Sequence, residues 1–158
     1  MWKAYNLINE EKPVDAERVL NSLYNDHPHD PRVMGLLAQC QMKLEHYGAA
    51  YNTLRRCVEL LPNKSEPWNN YGMACLHCGL LDEGERALKR AIGLESKQPW
   101  AAVNNMALCM VNQGEPLQAI EWADKGLALK AKNPEAMVSR GYACLMLGRW
   151  KEGWEGYE

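Results

Sequence analysis

Residues Trp68–Gly79 read WNNYGMACLHCG. Taken alone, Cys75-Leu-His-Cys78 is a C-x-x-C with a histidine inside it, the opening of a zinc site or a thiol redox centre. Taken with its surroundings, the stretch is one helix of a repeat. Trp68, Tyr71, Gly72 and Cys75 fall at i, i+3, i+4 and i+7, a single helical face. Cysteines recur at positions 40, 75, 109 and 144, and glycines at 79, 114 and 148. Small residues recur at Ala4, Ala38, Gly72, Ala107 and Gly141, and again at Ala16, Ala50, Gly84, Ala119 and Gly153. Every step is 34 or 35 residues, and self-similarity at such a period marks a stacked array of short helical or mixed units.

Each period holds two helices. After Gly79 a second stripe runs through Gly84, Ala87, Leu88, Ala91 and Ile92. Pro13 and Pro116 sit in the first turn of second helices, where a missing N–H costs little. Pro31, Pro67, Pro99 and Pro134 open first helices, and Pro28 and Pro62 follow second ones. Apolar alternation at period two never persists, so no strand is predicted. The small residues mark where paired helices cross closely. Each pair then leaves an apolar face for the next pair to cover.

This pattern resembles the tetratricopeptide repeat (TPR). The residues that carry the resemblance are Trp68, Tyr71-Gly72, Gly79, Gly84, Leu88 and Ala91 in one copy, with Leu37-Ala38, Ala50, Leu54 and Pro62 in the copy before. Met106-Ala107, Gly114, Ala119 and Ala123 carry it after, then Gly141, Gly148, Trp150 and Gly153. The resemblance implies an all-α, right-handed superhelical solenoid of antiparallel helix pairs. It predicts one array over 1–158: a partial repeat 1–30, repeats 31–64, 65–99 and 100–133, and a truncated repeat 134–158. Arg140 stands where the family has an apolar residue, so its stem is expected to pack while its head reaches water. The chain starts and stops inside repeats, which implies a fragment of something longer or ends that pack on another copy. Trp150, Trp154 and Tyr157 on the last helix are the surface for such a homo-oligomer.

Composition narrows the function classes. Hydrophobic residues make up 47% of the 158, so the chain has enough for a core. Net charge is −2, which argues against a nucleic-acid or acidic-membrane surface. No apolar run approaches a membrane span, and no secretory signal opens the chain. Six cysteines without such a signal read as reduced thiols in the cytoplasm.

The cysteines are expected in the core, as small hydrophobes. Residues 75 and 77 lie about 200° apart on a helix, so one ion would not collect Cys75, His77 and Cys78 together. Cys78 also falls at a helix C-terminus, where the dipole disfavours a thiolate. His27 and His29 flank Pro28 in an inter-repeat loop and read as turn chemistry. No nucleophile elbow, zinc-protease motif, phosphate loop or dinucleotide fingerprint occurs. The expectation is a non-enzyme without cofactor or metal.

The polar residues that stand out are Asn69-Asn70 and Asn104-Asn105, at the fifth and sixth positions of two first helices. The resemblance places that face in the concave groove of the superhelix. Asn70 and Asn105 resemble the asparagine ladder of O-linked N-acetylglucosamine transferase and importin-type solenoids. A side-chain amide offers donors and an acceptor together, so it can hold a peptide backbone without reading sequence. Gln39, Lys43, His77, Asn112 and Tyr142 complete the expected partner-binding set. The family's clamp for acidic chaperone tails needs Lys and Arg where this chain has Gly35, Gln39, Asn70, Ala101 and Asn105, and only Asn70 fits. The groove also lacks the basic charge of the related RNA-reading repeats. The reading is a protein-interaction scaffold that binds a peptide or partner segment. The closing LGRWKEGWEGYE resembles the last repeat of bacterial proteins whose repeats precede a glycosyltransferase domain. That implies an alternative, a substrate-recruiting module of a larger enzyme, beside the self-assembling structural protein above.

Overall fold

The computed structural model describes residues 2–155, the side chains of Asn9 and Glu155 aside. Ten helices and no strand occupy the described residues. They run α1 (Trp2–Asn9), α2 (Pro13–Asp26), α3 (Pro31–Lys43), α4 (Tyr47–Leu60), α5 (Ser65–His77), α6 (Leu81–Ile92), α7 (Pro99–Gln113), α8 (Pro116–Leu129), α9 (Pro134–Met146) and α10 (Trp150–Glu155). Prolines stand at the first helical turn of α2, α3, α7, α8 and α9, as the spacing predicts. Each helix packs on the next. In addition α5 packs directly on α7, and α7 on α9. Three first helices, α5, α7 and α9, are therefore drawn together along one side of the array.

The small-residue columns sit where the helices of a pair cross. A Cβ added at Gly72 would lie 2.7 Å from Leu88 Cγ, and one at Gly84 would lie 2.8 Å from Leu76 Cδ2 and 3.2 Å from the Gly72 carbonyl oxygen. Gly141 and Gly153 repeat the arrangement, with Leu145 Cδ2 at 2.5 Å from a Cβ on Gly153. Ala4, Ala16, Ala38, Ala50, Ala107 and Ala119 fill the same columns and are fully buried. Leu20, Leu37, Leu54, Leu88 and Met106 pack around these crossings.

All five hairpin turns share one geometry. Gly79, Gly114 and Gly148 have φ of 76°, 78° and 72°, the left-handed conformation that ends a helix. Glu11 and Glu45 hold the same place with φ of 57° and 60°. In each turn a backbone N–H closes back over the helix end: Lys12 to Leu7, His46 to Gln41, Leu80 to Cys75, Glu115 to Met110 and Arg149 to Cys144, all at 2.8–2.9 Å. The glycine column predicts only three of these turns. The other two impose the left-handed conformation on a glutamate, at a cost of about 1–2 kcal/mol each.

Cys40, Cys57, Cys75, Cys109 and Cys144 are buried and Cys78 is exposed. Burial pushes the Cys75 thiol up to about 12 and the Cys109 thiol up to about 11, away from thiolate chemistry. Trp68 is half-buried rather than enclosed. Its Nε1–H donates to the Pro62 carbonyl at 2.9 Å, and its ring meets Tyr71 edge-on at 6.3 Å. Truncating it should therefore cost less than the about 3–5 kcal/mol of an enclosed Trp. Arg140 does reach outward: its Nε–H donates to Asp124 Oδ1 of α8 at 2.8 Å. A carboxylate one helix away thus takes up the guanidinium that the family pattern does not anticipate.

Candidate functional site

The candidate residues lie on the first helices α3, α5, α7 and α9. Among them Asn105 Nδ2–H donates to Asn69 Oδ1 at 2.8 Å, joining α7 to α5. The link is diagonal, since Asn69 holds the fifth repeat position and Asn105 the sixth. The sequence pairs Asn70 with Asn105 by register, and the structure pairs Asn69 with Asn105 by contact. Once made, the link still leaves the Asn69 amide its donors and the Asn105 carbonyl its acceptor. Asn70 lies beside the link, half-buried.

Asn104 does not belong to this surface. It is 5% exposed, and a Cβ added at Gly126 of α8 would fall 2.3 Å from its Oδ1. The side chain occupies the gap that Gly126 leaves. The repeat before carries Ala91 at the position of Gly126, and there Asn69 is half-buried and hydrogen-bonded to Asn105. Asn104 Oδ1 has no hydrogen-bond partner in this packing.

Gln39 and Lys43 are exposed on α3 and Asn112 on α7. Tyr142 is 53% exposed on α9. His77, exposed at the end of α5, stacks on Tyr47 of α4 with ring centroids 4.2 Å apart and planes 6° apart. Tyr47 has no repeat signal in the sequence, because the stack joins the end of one pair's first helix to the start of the second helix in the pair before it. Arg32 is engaged locally. Asp30 caps α3 by accepting the Arg32 backbone N–H at 2.9 Å and its side chain at 2.8 and 3.1 Å. That guanidinium holds the Asp30 carboxyl down at about 2. Apart from Lys43, the candidate residues are thus uncharged amides and rings. Among the described residues no group of three or more His, Cys, Asp or Glu is placed to hold a metal.

Similarity to known proteins agrees with the geometry. A family model described as anaphase-promoting complex, cyclosome, subunit 3 matches residues 14–91. The tetratricopeptide repeat-containing protein trd-1 of Caenorhabditis elegans is 29% identical over 113 residues, 72% of this chain and 14% of that protein. The chain thus spans a small part of that relative. Among solved structures, PilW, a widely conserved type IV pilus biogenesis factor, superposes with a TM-score of 0.88 at 18% identity, covering 99% of this chain and 72% of PilW. MamA from Desulfovibrio magneticus gives 0.80 at 16% identity, covering 98% and 86%. A thermophilic TPR protein of Thermus thermophilus gives 0.82 at 20% identity, covering 98% and 84%. At these identities the superpositions speak for the fold, the all-α right-handed solenoid that the sequence predicts.

Proposed function

We propose that this tetratricopeptide-repeat array is a non-enzymatic scaffold that holds an extended partner segment on its concave face. Stacked helix pairs create a long surface of this kind, and protein interaction is the general use of the fold. The observation that carries the finer reading is the Asn69–Asn105 link across α5 and α7. It orders two amides that would otherwise rotate, so less entropy is lost when a backbone bonds to them. Asn70, Gln39 and Asn112 extend the polar surface along the groove, with Lys43, His77 and Tyr142 at its margins. The near-neutral lining favours backbone recognition over charge reading.

The test takes a partner captured from the native host by the intact chain. Asn69→Ala with Asn105→Ala should weaken that partner by tenfold or more, the effect of about one to two lost hydrogen bonds, with helicity by circular dichroism unchanged. Undiminished affinity in a folded double variant would move the site off this surface.

A second reading, self-association, is favoured by α10, where Trp150 is 65% and Trp154 is 61% exposed. Tyr157, the third residue expected there, lies outside the described residues. Light scattering across a concentration series decides it, because a mass that stays monomeric at high concentration excludes the reading. Among the described residues no helix is long and apolar enough to cross a membrane.

A further inference from the structure

The outer faces of α4 and α6 carry a block of cations that concave-face binding leaves unused. The buried stripe of α4 runs through Ala50, Thr53, Leu54, Cys57 and Val58, which puts Arg55 and Arg56 on the opposite side. The stripe of α6, Gly84, Ala87, Leu88 and Ala91, does the same for Arg86, Lys89 and Arg90. All five are exposed. Arg55 and Lys89 hold one repeat position, and Arg56 and Arg90 the next, so the cations of the two helices lie in register. The same two positions are Asn21 and Ser22 on α2, and Asp124 and Lys125 on α8. The concentration of positive charge is confined to two adjacent pairs of a chain whose net charge is −2.

Three of these arginines are held in place by neighbouring groups. The Arg55 guanidinium lies 5.8 Å from the Tyr51 ring centre. Arg56 lies 5.5 Å from the Tyr24 ring centre and donates to the Tyr24 hydroxyl. Arg90 Nη2–H donates to the Pro62 carbonyl at 3.4 Å and to Asn63 Oδ1 at 3.3 Å. The hydrogen bonds of Arg56 and Arg90 use part of a fork of five donors, and the ring contact of Arg55 uses none of them. A guanidinium already ordered loses less freedom when it meets a carboxylate, and the planar fork matches that group bidentately.

We propose that this outer face binds an acidic peptide segment, with Arg55, Arg56 and Arg90 receiving its carboxylates. Discrete carboxylates suit the face better than a nucleic-acid strand does. The unbroken phosphate charge of a strand would also meet Glu59 and Glu85 here, and Glu85 is itself paired with Lys89 at 2.6 Å. The surface is separate from the amide groove, and the proposal stands independently of it.

The experiment uses the intact chain and a short fluorescent peptide alternating Glu and Ser, read by anisotropy at low and moderate salt. The controls are the matching Gln–Ser peptide and a single-stranded oligothymidylate of equal charge. Arg55→Gln with Arg90→Gln should weaken the acidic peptide about tenfold or more, since one charge-assisted hydrogen bond is worth that much. Arg86→Gln, which touches no contact between repeats described above, should weaken it by a smaller factor and serves if the double variant does not fold. Asn69→Ala with Asn105→Ala should leave the affinity unchanged. Equal binding of the neutral peptide, preference for the oligonucleotide, indifference to the arginine variants, or loss in the asparagine variant would each overturn the proposal.

Discussion

Asn69 and Asn104 occupy the same repeat position one repeat apart, yet they end in opposite surroundings. Asn69 is half-buried and accepts a hydrogen bond from Asn105. Asn104 is buried against Gly126 with its oxygen unpartnered. A second pair tells the same story. Asp30 and Asn133 both precede a proline that opens a first helix. Asp30 caps its helix in the expected way, while Asn133 is fully buried and neither of its side-chain polar atoms is hydrogen-bonded. Both exceptions fall late in the array, Asn104 on α7 and Asn133 just before α9. Against Asn104, α8 carries Gly126 where α6 carries Ala91. One absent methyl admits an amide into the core, and a periodic sequence then stops implying a periodic surface.

The contrast can be broken most sharply at Gly126. Gly126→Ala should destabilise the chain by about 1–3 kcal/mol in urea unfolding, the usual cost of overpacking, because the new methyl collides with Asn104 Oδ1. Adding Asn104→Ala should recover most of that loss. If the two changes are simply additive, the amide does not occupy the gap. Partner binding sharpens the comparison from the other side: Asn69→Ala should reduce affinity severalfold and Asn104→Ala should leave it unchanged.

Capping comes next. Asp30→Ala should cost about 1 kcal/mol, the ordinary value of an N-cap. The Asp30 carboxyl is held below its usual range, so its contribution is present above about pH 4 and fades as pH falls toward about 2. An acid titration of stability in wild type and Asp30→Ala should therefore converge at low pH. Curves that stay parallel would mean that the carboxylate does no capping.

The smallest effect is expected in the hairpin turns, where the first two pairs carry glutamate and the later three glycine. Glu45→Gly should stabilise by about 0.5–1 kcal/mol, because relief of the left-handed strain exceeds the added chain entropy. Gly79→Ala should destabilise by about 1 kcal/mol for the converse reason. Equal and near-zero changes at both sites would show that the turn conformation is set elsewhere.

Much of the architecture is legible in residues. The Gly72–Gly84 columns mark helix crossings, the prolines mark helix starts, and the cysteine column falls in the core. The WNNYGMACLHCG stretch resolves into a packed Tyr71, Gly72 and Cys75, with Asn69 and Asn70 half-buried. The contacts of the candidate residues are less legible. Register proposes Asn70 with Asn105, whereas the hydrogen bond forms one residue earlier, from Asn105 to Asn69, because neighbouring first helices meet at an offset. The His77–Tyr47 stack likewise joins residues that no periodic column connects.

By itself, then, the sequence determined what is repeated: two helices per 34 or 35 residues, the face each buries, and the small residues that let them cross. These follow from local helix geometry and from burial, which act on each repeat alike. Only the tertiary structure decided what is not repeated. The burial of Asn104, the uncapped Asn133 and the diagonal Asn69–Asn105 link each depend on the side chain across the interface, and a period read along one chain carries no record of that neighbour.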